Sequence, residues 1–328
     1  YLMQLSHYSV GSEYAMARRT IEYLMKHTSI YTEMHLHMAF LFDADYMYTG
    51  NTELLERYYE DLKSKTLLEL SNTNGLITSE KATSELMMKL GLSNENNTLI
   101  DCVDWPLKDS LGNSKRTAEN DYYVVKPYNT VINAFFYQNM KIMAKFAEIL
   151  EKPNDILDFE LRAAKVKKEL NTSMFDFERG VYTDGIGTSH ASLYANLMPL
   201  VFNMVPDKYV KSVATYIKSR GMASGVYSSH YLLEALYQAG ESDYALNLLA
   251  NTNYGSWFDM SGNGLVSDME YDWSFSNHLD SEWNYAWGTI PVNIITRNLW
   301  GIRPKTPGFE IAIIKPQMSI LKSGSIEV

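Results

Sequence analysis

Charge is spread unevenly along this chain, and the unevenness repeats. The segments Tyr1–Val10, Ala191–Asn203, Val226–Ala239 and Trp283–Thr296 carry no Lys, Arg or Asp, and Glu234 is their one Glu. Glu33–Tyr48 holds three carboxylates among apolar neighbours, and Thr130–Met143 a single lysine. A helix that is apolar nearly all round is a buried one. The intervening segments are amphipathic instead. Glu13–Lys26 puts Tyr14, Ala17, Ile21 and Leu24 on one stripe, with Arg18, Arg19, Glu22 and Lys26 elsewhere. Glu53–Leu70 does the same with Leu55, Tyr59, Leu62 and Thr66, and Asp155–Leu170, Asp207–Arg220 and Asp243–Ala250 follow the pattern. Gly221 and Gly240 stand where helices should stop, and Pro153-Asn154-Asp155 where one should start. Six buried helices alternating with five half-exposed ones predict an inner ring within an outer one: a mainly α fold, the (α/α)6 barrel or six-hairpin toroid.

The pattern changes after Trp300-Gly301. The turn-rich Arg303–Gly308 is followed by Phe309–Ile314 and Ser325–Val328, which read as short strands. The expected division is a helical barrel over 1–302 and the beginning of a C-terminal β-sandwich domain over 303–328. Because Tyr1–Val10 already reads as an inner helix, the barrel's entry segment is expected to lie upstream of Tyr1.

Composition narrows the function. With 328 residues and a net charge of −10, the chain has ample core and no basic face for a nucleic acid. Cys102 is its only cysteine, which excludes a disulfide framework and a multi-cysteine metal site. No apolar run approaches the roughly 18–20 residues of a membrane span. The 24 Tyr and 6 Trp supply flat rings of the kind that sugar sites use as platforms.

In a double ring, the loops entering the inner helices gather at one end, and there the carboxylates and indoles of this chain concentrate. They include Tyr31 and Glu33; Asp101, Asp104, Trp105 and Asp121; Asp184 and His190; and, in the long entry to the last inner helix, Trp257, Asp259, Asp268, Glu270, Asp272, Trp273, His278, Asp280, Glu282 and Trp283. Paired carboxyls with aromatic platforms are what glycoside hydrolysis requires, one protonating the leaving oxygen and one activating water. Each residue also has a structural reading. Glu33 sits in a first helical turn, where the dipole favours the anion and a low pKa. Asp104-Trp105-Pro106 can be a turn with a packing indole, His190 a bonded core histidine, and Asp272, Asp280 and Glu282 solvated charges. His35 and His37 are two apart and point to different helix faces, so no metal site is expected.

Several of these pieces resemble the α-L-rhamnosidase family of bacterial glycoside hydrolases: Tyr31-Thr32-Glu33, Val103-Asp104-Trp105-Pro106, Tyr128–Phe135, Arg179–Gly185, Ser189–Leu193, Ser219–Ala223, Trp283–Gly288, Gly301-Ile302 and Pro307–Phe309. The resemblance implies an inverting, cofactor-free enzyme built on an (α/α)6 domain flanked by β-domains. It implies Glu270, in Met269-Glu270, as general base, and a general acid upstream of Tyr1. Substrate contacts are expected at Glu33, Asp104, Trp105, Asp121, His190, Trp257, Trp273, Trp283 and Tyr285. The expected partner is a rhamnose-containing oligosaccharide or glycoside, with no nucleic acid or membrane; the oligomeric state stays open. The resemblance favours the bacterial periplasm over the cytoplasm. Family members usually have histidine where this chain has Tyr285, and the Tyr271-Asp272-Trp273 order also departs from the pattern. Two alternatives therefore remain: a related hydrolase for another deoxy-sugar or uronide, and a sugar-binding module without catalysis.

Overall fold

The computed structural model describes residues 1–92, 98–104, 121–252, 257, 286–318 and 320–327. Among them the inner helices are α1 (Leu2–Tyr8), α3 (Thr32–Thr49), α6 (Thr130–Ile149), α8 (Leu193–Val201), α10 (Val226–Gln238) and α12 (Ile290–Ile294). Each packs against the next, and α12 packs back onto α1, so the ring closes. The outer helices are α2 (Ala15–Lys26), α4 (Glu53–Lys65), α7 (Pro153–Ser173), α9 (Val210–Arg220) and α11 (Ser242–Ala250). α2 and α4 lie on α3, α7 on α6, α9 on α8 and α11 on α10. This is the (α/α)6 arrangement, and burial follows it. Every residue from Leu193 to Leu200 is buried, whereas α2 buries only Ile21 and Met25. A short helix α5 (Ser84–Lys89) lies in the long connection between α4 and α6.

Side chains of four inner helices fill the middle of the ring. Phe40, Phe135, Phe202 (just past α8) and Tyr231 meet with ring centroids 5.4–6.3 Å apart, mostly edge to face. Such pairs add about 0.5–1.5 kcal/mol each beyond the area they bury. The cluster forms an aromatic plug in the middle of the ring.

Several local expectations are corrected. α4 stops at Lys65 rather than Leu70, because Leu67 turns into the left-handed region at φ 59° and only a single 3-10 turn follows. The Asp207–Arg220 segment opens as a 3-10 turn over Asp207–Tyr209 before α9. The last inner segment is three short pieces rather than one helix: a 3-10 turn Ala286–Thr289, α12, and a π-helical turn Ile295–Leu299, with Pro291 in the first turn of α12. A two-residue hairpin, β1 (Phe175–Asp176) with β2 (Val181–Tyr182), precedes α8. At the end of the chain, β3 is Ile302–Pro304, inside the stretch read as turn, and pairs antiparallel with β4 (Ala312–Ile314). Phe309 belongs to a 3-10 turn, and 325–327 form no strand. Gly301 makes the junction possible: at φ 66°, a Cβ there would stand 2.0 Å from the Lys315 carbonyl oxygen.

Candidate active site

The inner helices all begin at one end of the ring, and residues 98–104 and 121–129 are stitched across that end by carboxylates. Thr32 N–H donates to the Ile100 carbonyl at 2.9 Å. Glu33, fully buried, accepts the backbone N–H of Cys102 at 3.0 Å and that of Val103. Val103 adopts φ 61°, an unfavourable conformation for a β-branched residue, and the paired acceptor holds it there. Asp104 closes the start of α10, taking the N–H of Gly225 at 2.6 Å and of Ser228 at 3.2 Å. Asp121 accepts the Leu193 N–H at the start of α8 and is clamped by Arg220. Asp184 accepts from Val124 and Ser192 and faces the His190 ring, 2.6 Å from Nδ1. Anions at helix starts answer the positive dipole end and the free N–H groups there.

Glu33 corrects one expectation. Burial, helped by the neighbouring Asp101 charge, pushes its carboxyl up to about 7, although the two backbone donors pull the other way. Desolvation outweighs the helix start. One turn on, burial pushes His37 down to about 3, so its ring is neutral. Its Nδ1 lies 2.6 Å from the Glu33 carbonyl and takes the proton, leaving Nε2 to accept from the Tyr231 hydroxyl at 2.6 Å. His35 instead reaches the Thr28 hydroxyl at 3.1 Å.

Between α1, α2 and α3 this end opens into a cavity of about 400 Å3. Tyr31, Tyr227, Trp287 and Cys102 line its mouth side, and Met34, His37 and Met38 of α3 form its wall. Trp287 and Tyr227 lie with ring centroids 5.2 Å apart at 47°. Among the described lining residues there is no Lys or Arg. A cavity of this volume is large enough for a sugar ring beside the Tyr31, Tyr227 and Trp287 rings.

Of the residues singled out from the sequence, Glu33, Asp104, Asp121 and His190 therefore stand at this same end. The first three have their oxygens turned to protein donors, while the His190 side chain is about 34% exposed beyond its contact with Asp184. Trp257 is half-buried against the core. Trp105, Glu270, Trp273, Trp283 and Tyr285 lie outside the described residues. Tyr227, Trp287 and Cys102 were not singled out. Tyr227 was findable, since it stands in the first turn of a charge-poor helix, just as Glu33 does.

A closed double ring with an aromatic-lined cavity at the helix starts defines the class, a helical-barrel glycosidase domain. The chain belongs to the bacterial α-L-rhamnosidase six-hairpin glycosidase domain family, whose sequence model matches residues 23–299. It is 26% identical over 289 residues to an α-L-rhamnosidase of Alteromonas sp. (strain LOR), an alignment covering 84% of this chain and 28% of that protein. The chain thus spans well under a third of the length of this curated relative. Among solved structures, the GH78 rhamnosidase of Bacillus sp. GL1 superposes with a TM-score of 0.70 at 16% identity, over 95% of this chain and 32% of that one. The Streptomyces avermitilis α-L-rhamnosidase complexed with L-rhamnose gives 0.64 at 17%, over 87% and 24%.

Proposed function

We propose that this chain forms the catalytic barrel of an inverting α-L-rhamnosidase, which removes terminal α-L-rhamnose from glycans or glycosides. The observation that carries the reading is the family match over 23–299, which takes in α3 to α12 of the ring whose open end holds the cavity. Rhamnose ends in a methyl group where other hexoses carry a hydroxyl, and the Met34, Met38 and Leu41 wall suits it. A uronide would need a cation for its carboxylate, and the described walls offer none. This favours the deoxy-sugar over the uronide alternative.

In the reaction, Glu270 takes a proton from the attacking water while an acid, by the resemblance a glutamate upstream of Tyr1, protonates the departing oxygen. Inversion requires those carboxyls about 6.5–9.5 Å apart, leaving room for the water. Trp105, Trp257, Trp273, Trp283 and Tyr285 are the sugar contacts this reading assigns, and the partly exposed His190 ring offers an edge to a hydroxyl. Glu33, Asp104 and Asp121 act as positioning residues that hold residues 98–104 and 121–129 against the helix starts. The compartment favoured by the resemblance is the bacterial periplasm, and the chemistry calls for no cofactor.

The direct test is Glu270→Gln in the intact protein that carries this chain. It keeps the shape and removes the base, so turnover of an aryl α-L-rhamnoside should fall by about 10²–10⁴ while rhamnose affinity changes little. Undiminished turnover would assign the base to another carboxylate.

A further inference from the structure

Beyond the aromatic plug the axis widens again, into a second cavity of about 270 Å3 at the end where the inner helices finish. Every inner element reaches it: Leu5 of α1, Asp43 of α3, Gln138 of α6, Val201 of α8, Glu234 of α10, and Arg297 of the π-helical turn. Arg303 of β3 stands exposed at its rim. Both carboxylates of its described wall are matched, Glu234 by the buried Arg297 and the partly exposed Asp43 by Lys145 at 2.6 Å. One group is not. His230 is 1% exposed, and its Nδ1 has no hydrogen-bond partner among the described residues. Its Nε2 lies 3.9 Å from Glu234 Oε1, beyond hydrogen-bond reach. Burial pushes this histidine down to about 3, so the ring is a neutral donor–acceptor. A buried polar atom facing a space this large is satisfied by water or by a ligand.

We propose that this cavity binds a small neutral polyol, one sugar ring in size, at a site separate from the mouth. Size sets the upper limit, since the space admits one pyranose or cyclitol and no disaccharide. Charge sets the class: both wall carboxylates are already paired, so a cation would find no open counterpart. The one further cation among the described lining residues, Arg303, stands exposed at the rim, where water screens it from a buried anion. Hydroxyl groups both donate and accept, and the walls interleave carboxylates with Arg297, Gln138 and the open His230 nitrogen. Phe40, Tyr48, Phe202 and Tyr231 offer flat apolar surface for the ring's C–H faces. Of the described residues lining the two cavities only Tyr1 is common to both, so this ligand and one at the mouth rest on different walls.

Calorimetric titration of the protein with myo-inositol, L-rhamnose, glucuronate and glucosamine tests the site. myo-Inositol has no anomeric carbon and cannot be a substrate. The neutral compounds should bind, and myo-inositol should bind equally to the mouth variant Trp287→Ala. Gln138→Phe, which fills the space, should weaken myo-inositol by about tenfold or more, roughly the value of a lost buried hydrogen bond or greater. Arg303→Ala, at the exposed rim and harmless to folding, should weaken it by about three- to tenfold. If Gln138→Phe fails to fold, the Arg303 variant carries the test. Absence of myo-inositol binding would overturn the proposal. So would binding that Trp287→Ala abolishes and both far-end variants leave intact, or tighter binding of glucuronate or glucosamine than of the neutral compounds.

Discussion

A carboxyl in the first turn of a helix is ordinarily kept ionised by the dipole, and Glu33 shows what overrides this. It has no exposed surface, and Asp101 stands close by, so its carboxyl titrates near 7 instead of 4.5. The folded state then holds a proton that the unfolded chain has released across that interval. Stability is therefore greatest below about pH 4.5 as far as this group is concerned, and it falls as pH rises towards 7. A urea-unfolding series should show that decline, and Glu33→Gln, which cannot ionise, should remove it; an unchanged slope would place the proton elsewhere. Above pH 7, where the wild-type carboxyl is ionised and buried, Glu33→Gln should be no less stable than the wild type. The sequence displayed the residue and its position in a first turn. It could not display the burial, which depends on a segment arriving from some 70 positions later.

The elements carry the same lesson in their boundaries. Inner helices were legible because a helix without charge must be buried, and α3, α6, α8 and α10 fall within a few residues of the segments read for them. The last inner segment was not legible as three pieces. Its composition is uniformly apolar, and the breaks at Thr289 and Ile294 depend on Pro291 and on packing against α1 and α10. β3 was hidden because Arg303 and Pro304 look like turn residues, while its pairing depends on Gly301 lying close to Lys315. Asp104 is where an element and the site meet, as it closes α10 while standing next to Trp105. Asp104→Ala leaves the Gly225 and Ser228 N–H groups without their acceptor and should cost about 1–2 kcal/mol, read as a lower thermal midpoint. Asp104→Asn, which keeps an oxygen, should recover part of that loss. If both variants unfold like the wild type, the carboxylate does not support the helix.

For the whole molecule, the alternation of charge-poor and amphipathic segments is a statement about two rings, and the structure closes the inner one by packing α12 on α1. Six parallel inner helices bring their entry loops to one end, which is why acids scattered from Glu33 to Asp184 in sequence could be expected together. What the pattern could not reveal is that Glu33, Asp104 and Asp121 spend their oxygens holding loop to helix, or that a second cavity lies where the inner helices finish. The central claim is that this ring belongs to an inverting α-L-rhamnosidase. Its most direct test is proton NMR of the first product released from an α-L-rhamnoside by the intact protein, recorded before mutarotation mixes the anomers. The account predicts β-L-rhamnose first, with the α form growing in later; α-L-rhamnose appearing first would contradict it.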